Sequence, residues 1–350
     1  MPRTAIRRPA TSPLAALVGV LAVQTSHSFA VSAVSAANAR KSSFLPPGQF
    51  RGGASTMSQQ SSSVTSMALL GAGVGGVALG ILAKPAATFV MQKLKPGGSF
   101  SKINTPVSGA RTQKDLPVGD HPIQLYSMAT PNGQKAGIVL EELGLKYDAW
   151  WINIMDGDQF TSGFVDVNPN SKIPSMVDKN GPGGKPLNVW ETGSILLYLA
   201  EKEGKLLPKD PALRTECLNW LFFQARRAIG EAPYFGQFGH FFRYAPVKIP
   251  YGIQRYTTEV MRALDVLDKR LEGRTYLVAE EYTIADIAWF PWVRCIEFGY
   301  NALDAIPMKN YKNVTAWMER LSARPAVAKG LRINSWLEAD KEFKEYHSPK

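Results

Sequence analysis

Cysteine is scarce in this chain of 350 residues, which contains only Cys217 and Cys295. The two are far apart and neither belongs to a C-x-x-C motif, which argues against a disulfide scaffold, a zinc site and an intrinsic dithiol centre. We expect both to be small buried side chains on helices, because free cysteines are commonly core residues. Any thiol chemistry would therefore need a sulfur from a bound molecule.

Acidic residues are absent from residues 1–114, which carry twelve basic ones. The rest of the chain then holds 28 of the 40 basic residues against all 29 acidic ones, a net charge of about −1. The formal charge of +11 therefore describes a leader, and nucleic-acid binding loses its main support.

The leader, residues 1–66, has the composition of a targeting sequence. An apolar run at 14–23 follows three arginines and is too short to span a bilayer, as in a signal peptide. The basic, Ser- and Ala-rich residues 24–66 are typical of an organelle transit peptide. With SHSFA at 26–30, which resembles the cleavage motif of secondary plastids, they predict bipartite plastid targeting. An ordinary secretory signal is the alternative.

A second apolar run, residues 67–83, opens a linker region that extends to residue 102. Its seventeen residues lie at the short limit for a membrane-spanning helix. Its five glycines lower helix propensity but permit close helix packing. A membrane anchor, a second targeting signal and a flexible linker all stay open.

Regular periodicity begins near His121 and predicts an α/β domain over 121–204. Apolar, aromatic and branched residues favour strands, and turn signals separate them from amphipathic helices. The predicted elements are strand 123–127, helix 134–143, strand 147–154, helix 163–167, strands 175–177 and 187–190, and helix 192–203. The order βαβαββα is that of a thioredoxin-like domain, preceded by a lead-in arm at 103–120.

Beyond Leu207 the strand signals stop and an all-α domain over 205–335 is predicted, followed by a tail at 336–350. The predicted helices span 213–229, 250–272, 283–300 and 311–323. Thr283 followed by Asp286 has the spacing of a capping box, in which each side chain satisfies exposed N–H groups at the helix start. We interpret this pair as structural.

A small α/β domain followed by an all-α domain resembles the glutathione transferases. The segments LYSMATPNGQKAGIVLEEL, DGDQFTSGFVDVNPNSKIP, WETGSILLYLAEK and EEYTIADIAWFPW resemble those of the nu class and of its bacterial disulfide-bond oxidoreductases. The resemblance covers about residues 103–335. It implies glutathione as co-substrate, with one or two molecules in each site, no metal, and a homodimer.

Two short segments have the properties of a glutathione site. Ile173-Pro174 stands where this fold has a cis-proline, so that the Ile173 backbone could pair with the cysteinyl part of glutathione as an added strand. Glu191 and Thr192 lie where a strand turns into a helix, whose N–H groups and dipole would receive the γ-glutamyl carboxylate. Glu191 would accept from the amine. Simple capping by Thr192 is the plainer interpretation of the same residues.

Thr130 and Asn132 lie at the start of the first helix, where transferases activate the glutathione sulfur with Tyr, Ser or Cys. None of those three is at this turn. A threonine hydroxyl and an asparagine amide can only donate hydrogen bonds to a thiolate and lower its pKa. We therefore expect these residues to activate bound glutathione without attacking. A turn with an N-cap is the plainer alternative.

The resemblance implies further contacts with glutathione from Asn104, Gln159, Gln224 and Arg255. Gln224 and Arg255 belong to the helical domain and would hold a second molecule, with the Arg255 guanidinium on its glycyl carboxylate. Without the resemblance, Arg255 would be interpreted as part of a surface ion pair and Gln224 as a helix-face hydrogen bond.

These expectations together predict a glutathione-dependent thiol–disulfide oxidoreductase acting on a small disulfide or electrophile. Conjugation and organic hydroperoxide reduction would start from the same thiolate. One alternative is a non-catalytic glutathione-binding regulator, as in a fungal nitrogen regulator of this fold. Another is a lyase or reductase for an apolar plastid metabolite, for which the aromatic residues 238–244 could line a pocket.

Overall fold

The computed structural model describes residue 103 and residues 105–225 and 234–349. The predicted leader, the apolar run 67–83 and Asn104 lie outside the described residues. None of the helices in the described ranges is long and apolar enough to cross a membrane.

The α/β domain has the predicted order. Its strands are β1 (Ile123–Ser127), β2 (Tyr147–Trp151), β3 (Ser175–Asp178) and β4 (Leu187–Trp190), and its helices are α1 (Pro131–Leu143), α2 (Ser162–Val167) and α3 (Thr192–Glu203). β1 pairs parallel with β2 and antiparallel with β3, which pairs antiparallel with β4. All five residues of β1 are buried, as expected of a central strand. The prediction of a thioredoxin-like βαβαββα domain is confirmed.

Two predicted boundaries in this domain were wrong by three residues, and two others, at the start of α2 and the end of β3, by one residue. The second strand ends at Trp151 and not at Ile154, because its pairing with β1 ends at Ser127 opposite Trp151. Beyond it, the Asn153 N–H is held 2.9 Å from the Asp158 carboxylate in a turn. The first helix starts at Pro131, earlier than predicted, because proline is well suited to the first helical position.

The C-terminal residues are part of the sheet. Tyr346–His347 forms β5 and pairs antiparallel with β2, so the strand order is β4-β3-β1-β2-β5. The imidazole Nδ1 of His347 lies 2.9 Å from Oδ1 of the buried Asp148. Within the segment predicted as a tail, Tyr346 and His347 therefore add an edge strand to the sheet of the α/β domain.

The lead-in arm packs along one edge of the α/β domain. The Arg111 guanidinium lies 3.4 Å above the Phe160 ring, and the Arg111 N–H donates to the Phe160 carbonyl at 2.7 Å. The Tyr126 hydroxyl donates to the Pro117 carbonyl at 2.8 Å. These contacts attach the arm to β1 and to the loop after β2.

The second domain is helical, as predicted. Its helices are α4 (Pro211–Ala225), α5 (Phe235–Gly239), α6 (Pro250–Leu271), α7 (Ile284–Phe298), α8 (Lys312–Ser322) and α9 (Pro325–Gly330). The predicted helix 213–229 is described only to Ala225. The short helices α5 and α9 were missed, because so few turns give no clear periodicity. α7 is buried along most of its length and packs against α1, α3 and α4, which joins the two domains.

The capping box at the start of α7 is confirmed. The Thr283 N–H donates to the Asp286 carboxylate at 3.0 Å, and the Thr283 hydroxyl oxygen accepts from Ala285 N–H at 3.3 Å. The other Asp286 oxygen accepts from Leu277 N–H at 3.0 Å and from the Trp317 indole at 2.9 Å. Its hydrogen bonds therefore tie three segments of the helical domain together.

Helix α1 is fixed to α9 by close backbone contact and by ion pairs. A Cβ atom on Gly330 would lie 2.5 Å from Ile138 Cα, which only glycine avoids. The Arg324 guanidinium pairs with both Glu142 oxygens at 2.7 Å. The middle and the C-terminal end of α1 are thus held against the helical domain.

Candidate functional site

An open cleft lies where the two domains meet. The predicted binding residues that line it are Asn132, Ile173, Glu191, Thr192 and Gln224, together with Pro174. Four other residues that were not predicted from the sequence also line it, namely Lys135, Asn168, Lys172 and Ala225. The cleft therefore brings together side chains from both domains, most of them polar.

The start of α1 combines a helix cap with a hydroxyl donor. The Thr130 hydroxyl oxygen accepts from the Gly133 N–H at 3.3 Å, and Thr130 has an extended backbone before the helix. Because its oxygen accepts this bond, its O–H can still donate to a ligand. Thr130 is not among the lining residues of the cleft, but Asn132, two residues further along the chain, is one of them. The capping interpretation is thus correct, and it is compatible with thiolate stabilisation.

The Asn132 amide is oriented by a tryptophan of the helical domain. The Trp292 indole nitrogen lies 3.0 Å from Asn132 Oδ1. An indole N–H can only donate, so the partner atom must be the amide oxygen. The Asn132 NH₂ group is consequently turned away from Trp292. A positioned donor of this kind suits stabilisation of a thiolate.

Residues of the loop before β3, among them Ile173 and Pro174, line the cleft. The Ile173–Pro174 peptide bond is cis, which confirms the sequence prediction. Asn168 holds the loop, since its amide donates to the Lys172 carbonyl at 2.8 Å and to the Ser175 hydroxyl at 3.0 Å. Ile173 and Lys172 are placed beside each other on the wall of the cleft.

The start of α3 has the features of an anion site. Glu191 has a φ of 68°, a value rare for residues other than glycine, and the helix begins at Thr192. In the described part of the chain the Glu191 side chain makes no capping bond to this helix. Its carboxylate is instead 3.4 Å from the Asn170 amide nitrogen. The first N–H groups of α3 can therefore bind a ligand carboxylate.

Lys135 is a buried basic residue at the cleft that was not predicted from the sequence. Its ammonium donates to Gln224 Oε1 at 2.7 Å and to the Thr192 hydroxyl at 3.4 Å. Burial lowers its pKa to about 7, partly offset by the nearby Glu191 carboxylate. The helical period could have identified Lys135 from the sequence, because it follows Asn132 by three residues and so lies on the same face of α1.

The remaining predicted contacts stand elsewhere. Gln159 is buried in a 3₁₀ turn and donates to the Ile154 carbonyl at 3.2 Å. Arg255 is exposed on α6 and pairs with Glu259 at 2.5 Å, as in the plainer interpretation. Neither is among the residues lining the cleft, and Asn104 lies outside the described residues. Their contacts with a ligand stay predictions.

Comparison with known proteins identifies the family. A model of the glutathione S-transferase N-terminal domain matches residues 129–202, and a model of the C-terminal domain matches residues 253–325. The disulfide-bond oxidoreductase YghU of Escherichia coli (strain K12) is 51% identical over 260 residues, which cover 72% of this chain and 88% of that protein. This chain belongs to the glutathione transferase superfamily.

Solved structures of glutathione transferases agree with this fold. YghU from Streptococcus pneumoniae, complexed with glutathione, is 48% identical with a TM-score of 0.62, covering 67% of this chain and 91% of that one. A glutathione transferase from Pseudomonas putida, with one glutathione disulfide bound per subunit, is 46% identical with a TM-score of 0.58. That match covers 61% of this chain and 92% of the other.

No cysteine lines the cleft of this glutathione transferase among its described residues. Cys217 and Cys295 are both buried, as predicted. Burial raises the pKa of Cys295 to about 11 and raises that of Cys217 above its usual value, so both thiols stay protonated at neutral pH. In the same described ranges, no group of three or more His, Cys, Asp or Glu side chains could hold a metal ion.

Proposed function

We propose that this glutathione transferase is a glutathione-dependent thiol–disulfide oxidoreductase. The observation that carries the proposal is the charge pattern of the cleft. Its charged lining residues are Lys135, Lys172 and Glu191 among those the structure describes. Two basic side chains and one acidic side chain match glutathione, which has two carboxylates and one ammonium group. The lining residues include no cysteine, so the glutathione thiol would supply the reactive group.

The proposed orientation follows from the polar groups of the cleft. The γ-glutamyl carboxylate binds the N–H groups at the start of α3 beside Thr192, and its ammonium donates to Glu191. The cysteinyl backbone pairs with Ile173. The sulfur then faces the start of α1, where Thr130 and Asn132 donate to it and lower its pKa.

The reaction consumes two glutathione molecules. The first thiolate attacks one sulfur of the disulfide substrate, forms a mixed disulfide and releases one substrate thiolate, which takes up a proton. A second glutathione thiolate attacks the glutathione sulfur of that mixed disulfide and releases the other substrate thiol. The products are oxidised glutathione and two substrate thiols, so the electron pair comes from the two glutathiones.

The second glutathione is assigned to the helical side of the cleft. Gln224, which accepts from Lys135, stands there, and Gln224 and Arg255 would hold the second molecule. Asn104 and Gln159 would contribute further contacts with the bound glutathione. The bound glutathione disulfide of the Pseudomonas putida protein supports two tripeptides in one site.

The test is reduction of 2-hydroxyethyl disulfide with glutathione as the reductant. We expect glutathione-dependent turnover both in the wild type and in the double variant Cys217→Ser/Cys295→Ser. Turnover should be much reduced in Asn132→Ala. If only the double cysteine variant lost activity, the result would contradict a mechanism in which bound glutathione supplies the thiol. Glutathione binding without any turnover would favour the regulatory alternative, which the oxidoreductase relatives do not favour.

Conjugation to small electrophiles and reduction of organic hydroperoxides are proposed as side activities, because both begin with the same thiolate. Rates with 1-chloro-2,4-dinitrobenzene and cumene hydroperoxide would measure them. Asn132→Ala should lower all three rates together. A variant that lowered one rate alone would place that activity elsewhere.

A homodimer is proposed from the resemblance to glutathione transferases. Size-exclusion chromatography with light scattering on the chain from residue 103 onward would give the mass. A mass equal to one chain across a range of concentrations would exclude the dimer.

Plastid targeting is proposed from the leader, with membrane association through residues 67–83 as a further proposal. The support is the serine-rich, acid-free composition of residues 24–66 after a short apolar run. N-terminal sequencing of the mature protein would give the cleavage site. Carbonate extraction of isolated plastids would test the membrane proposal, because a form retaining residues 67–83 should stay with the membranes. A mature form that begins between residues 24 and 31 and is secreted from the cell would favour an ordinary secretory signal.

A further inference from the structure

Lys135 connects two walls of the cleft that come from different domains. Its ammonium contacts the Thr192 hydroxyl at the start of α3 and Gln224 Oε1 on α4. Lys135 is 2% exposed and Gln224 is 1% exposed, so both polar groups are enclosed by protein. A buried ammonium without partners is very unfavourable, which makes these two contacts strong determinants of local geometry.

Gln224 has one polar atom left for a ligand. An ammonium can only donate, so the atom facing Lys135 must be Oε1 and the amide nitrogen points elsewhere. That nitrogen is buried and makes no hydrogen bond to any described residue. Gln224 also lines the cleft. A buried, unsatisfied amide at a binding cleft calls for an acceptor oxygen on the bound molecule.

We propose that Lys135 is a positioning residue that couples two glutathione subsites, holding Thr192 at the first and Gln224 at the second. This inference rests on the proposed function, since it assumes that each subsite binds glutathione. Lys135 fixes which end of the Gln224 amide faces the cleft. It also places a positive charge behind the hydroxyl that neighbours the first carboxylate. The second glutathione therefore binds best when Lys135 is in place.

Two ligands separate the subsites in calorimetric titrations. S-methylglutathione forms no disulfide and binds each subsite as a separate molecule, so its tighter titration step reports on one subsite, whereas glutathione disulfide spans both. We expect Lys135→Met to weaken binding of glutathione disulfide by about ten-fold more than binding of S-methylglutathione, because the Gln224 amide loses its orientation. Lys185→Met, on an exposed loop, is the matched control and should bind both ligands as the wild type does.

A double-mutant cycle tests whether Lys135 acts through Gln224. The combined Lys135→Met/Gln224→Leu variant should bind glutathione disulfide no more weakly than the worse single variant. Additive losses, or equal weakening of both ligands by Lys135→Met, would overturn the coupling. A wild type that binds neither ligand would instead overturn the proposed function and this inference with it.

If Lys135→Met fails to fold, a measurement on the wild type can test the coupling instead. Selective labelling of lysine lets the ammonium of Lys135 be titrated by NMR in each complex. Glu191 and Lys172 are the other charged residues of the described cleft wall and are present in both complexes. The second bound anion should make Lys135 titrate at a higher pH with glutathione disulfide than with S-methylglutathione. Identical titrations would contradict the coupling.

Discussion

The Trp292 indole donates a 3.0 Å hydrogen bond to Asn132 Oδ1, and the two residues are 160 positions apart in the sequence. One belongs to the most buried helix of the helical domain and the other to the first turn of α1. The orientation of the amide at the proposed thiolate site thus depends on the packing of the two domains against each other.

Trp292→Phe should lower kcat/KM for disulfide reduction by about ten-fold, because a phenyl ring keeps the packing but leaves the Asn132 amide oxygen without the indole donor that orients it. Steady-state kinetics with 2-hydroxyethyl disulfide would measure this. Trp289→Phe is the matched control, since the Trp289 indole donates to the Trp220 carbonyl at 3.0 Å and not to Asn132. Equal losses of activity in both variants would indicate a general packing effect.

Thr130→Val should raise the pKa of bound glutathione and slow the reaction by on the order of ten-fold or more, because valine keeps the shape but loses the donor. Thiolate absorbance at 240 nm against pH would give that pKa. The lost cap should also lower the free energy of unfolding by about 1 kcal/mol. Thr130→Ser keeps the hydroxyl and should retain most activity. An unchanged thiol pKa in Thr130→Val would remove this residue from the mechanism.

Gly330→Ala should lower the free energy of unfolding by about 1 to 3 kcal/mol, because its Cβ would lie 2.5 Å from Ile138 Cα and force α1 and α9 apart. Chemical denaturation would measure the change. Gly193→Ala is the control, since its Cβ would meet Ala225 Cβ at 3.6 Å, an ordinary contact. That change should be neutral or slightly stabilising. Equal destabilisation would argue against a close contact at Gly330.

The free energy of unfolding should rise as pH increases from about 7 to 8.5 without ligand. The folded pKa of Lys135 is about 7, below the usual value for lysine, so in this window the unfolded chain binds the additional proton. The slope should approach about 1.4 kcal/mol per pH unit. Above that window, buried groups with raised pKa values such as Cys295 oppose the rise.

Urea denaturation at several pH values would measure this slope. It should disappear in Lys135→Met and persist in Lys185→Met. A slope that is the same in all three proteins would show that Lys135 stays charged in the folded state.

Local sequence was enough to determine the elements and part of the site. The cis peptide before Pro174 was expected from the resemblance to the glutathione transferases, whereas strand and helix order and the capping box at Thr283 depend on residues within a few positions of one another. The strand-to-helix junction at Glu191 and the missing nucleophile at the Thr130 turn are local in the same sense. Propensity, periodicity and turn chemistry act over this range, so they are visible without tertiary structure.

Tertiary structure decided the contacts that join the two domains at the cleft. Lys135 and Gln224 are 89 positions apart, and no local pattern indicates that the Lys135 ammonium donates to the Gln224 amide oxygen. The same holds for Trp292 beside Asn132 and for β5, which is too short to predict and exists only because β2 offers an unpaired edge. Burial creates these pairs, because a polar group removed from water must find whichever partner the packed chain places within reach.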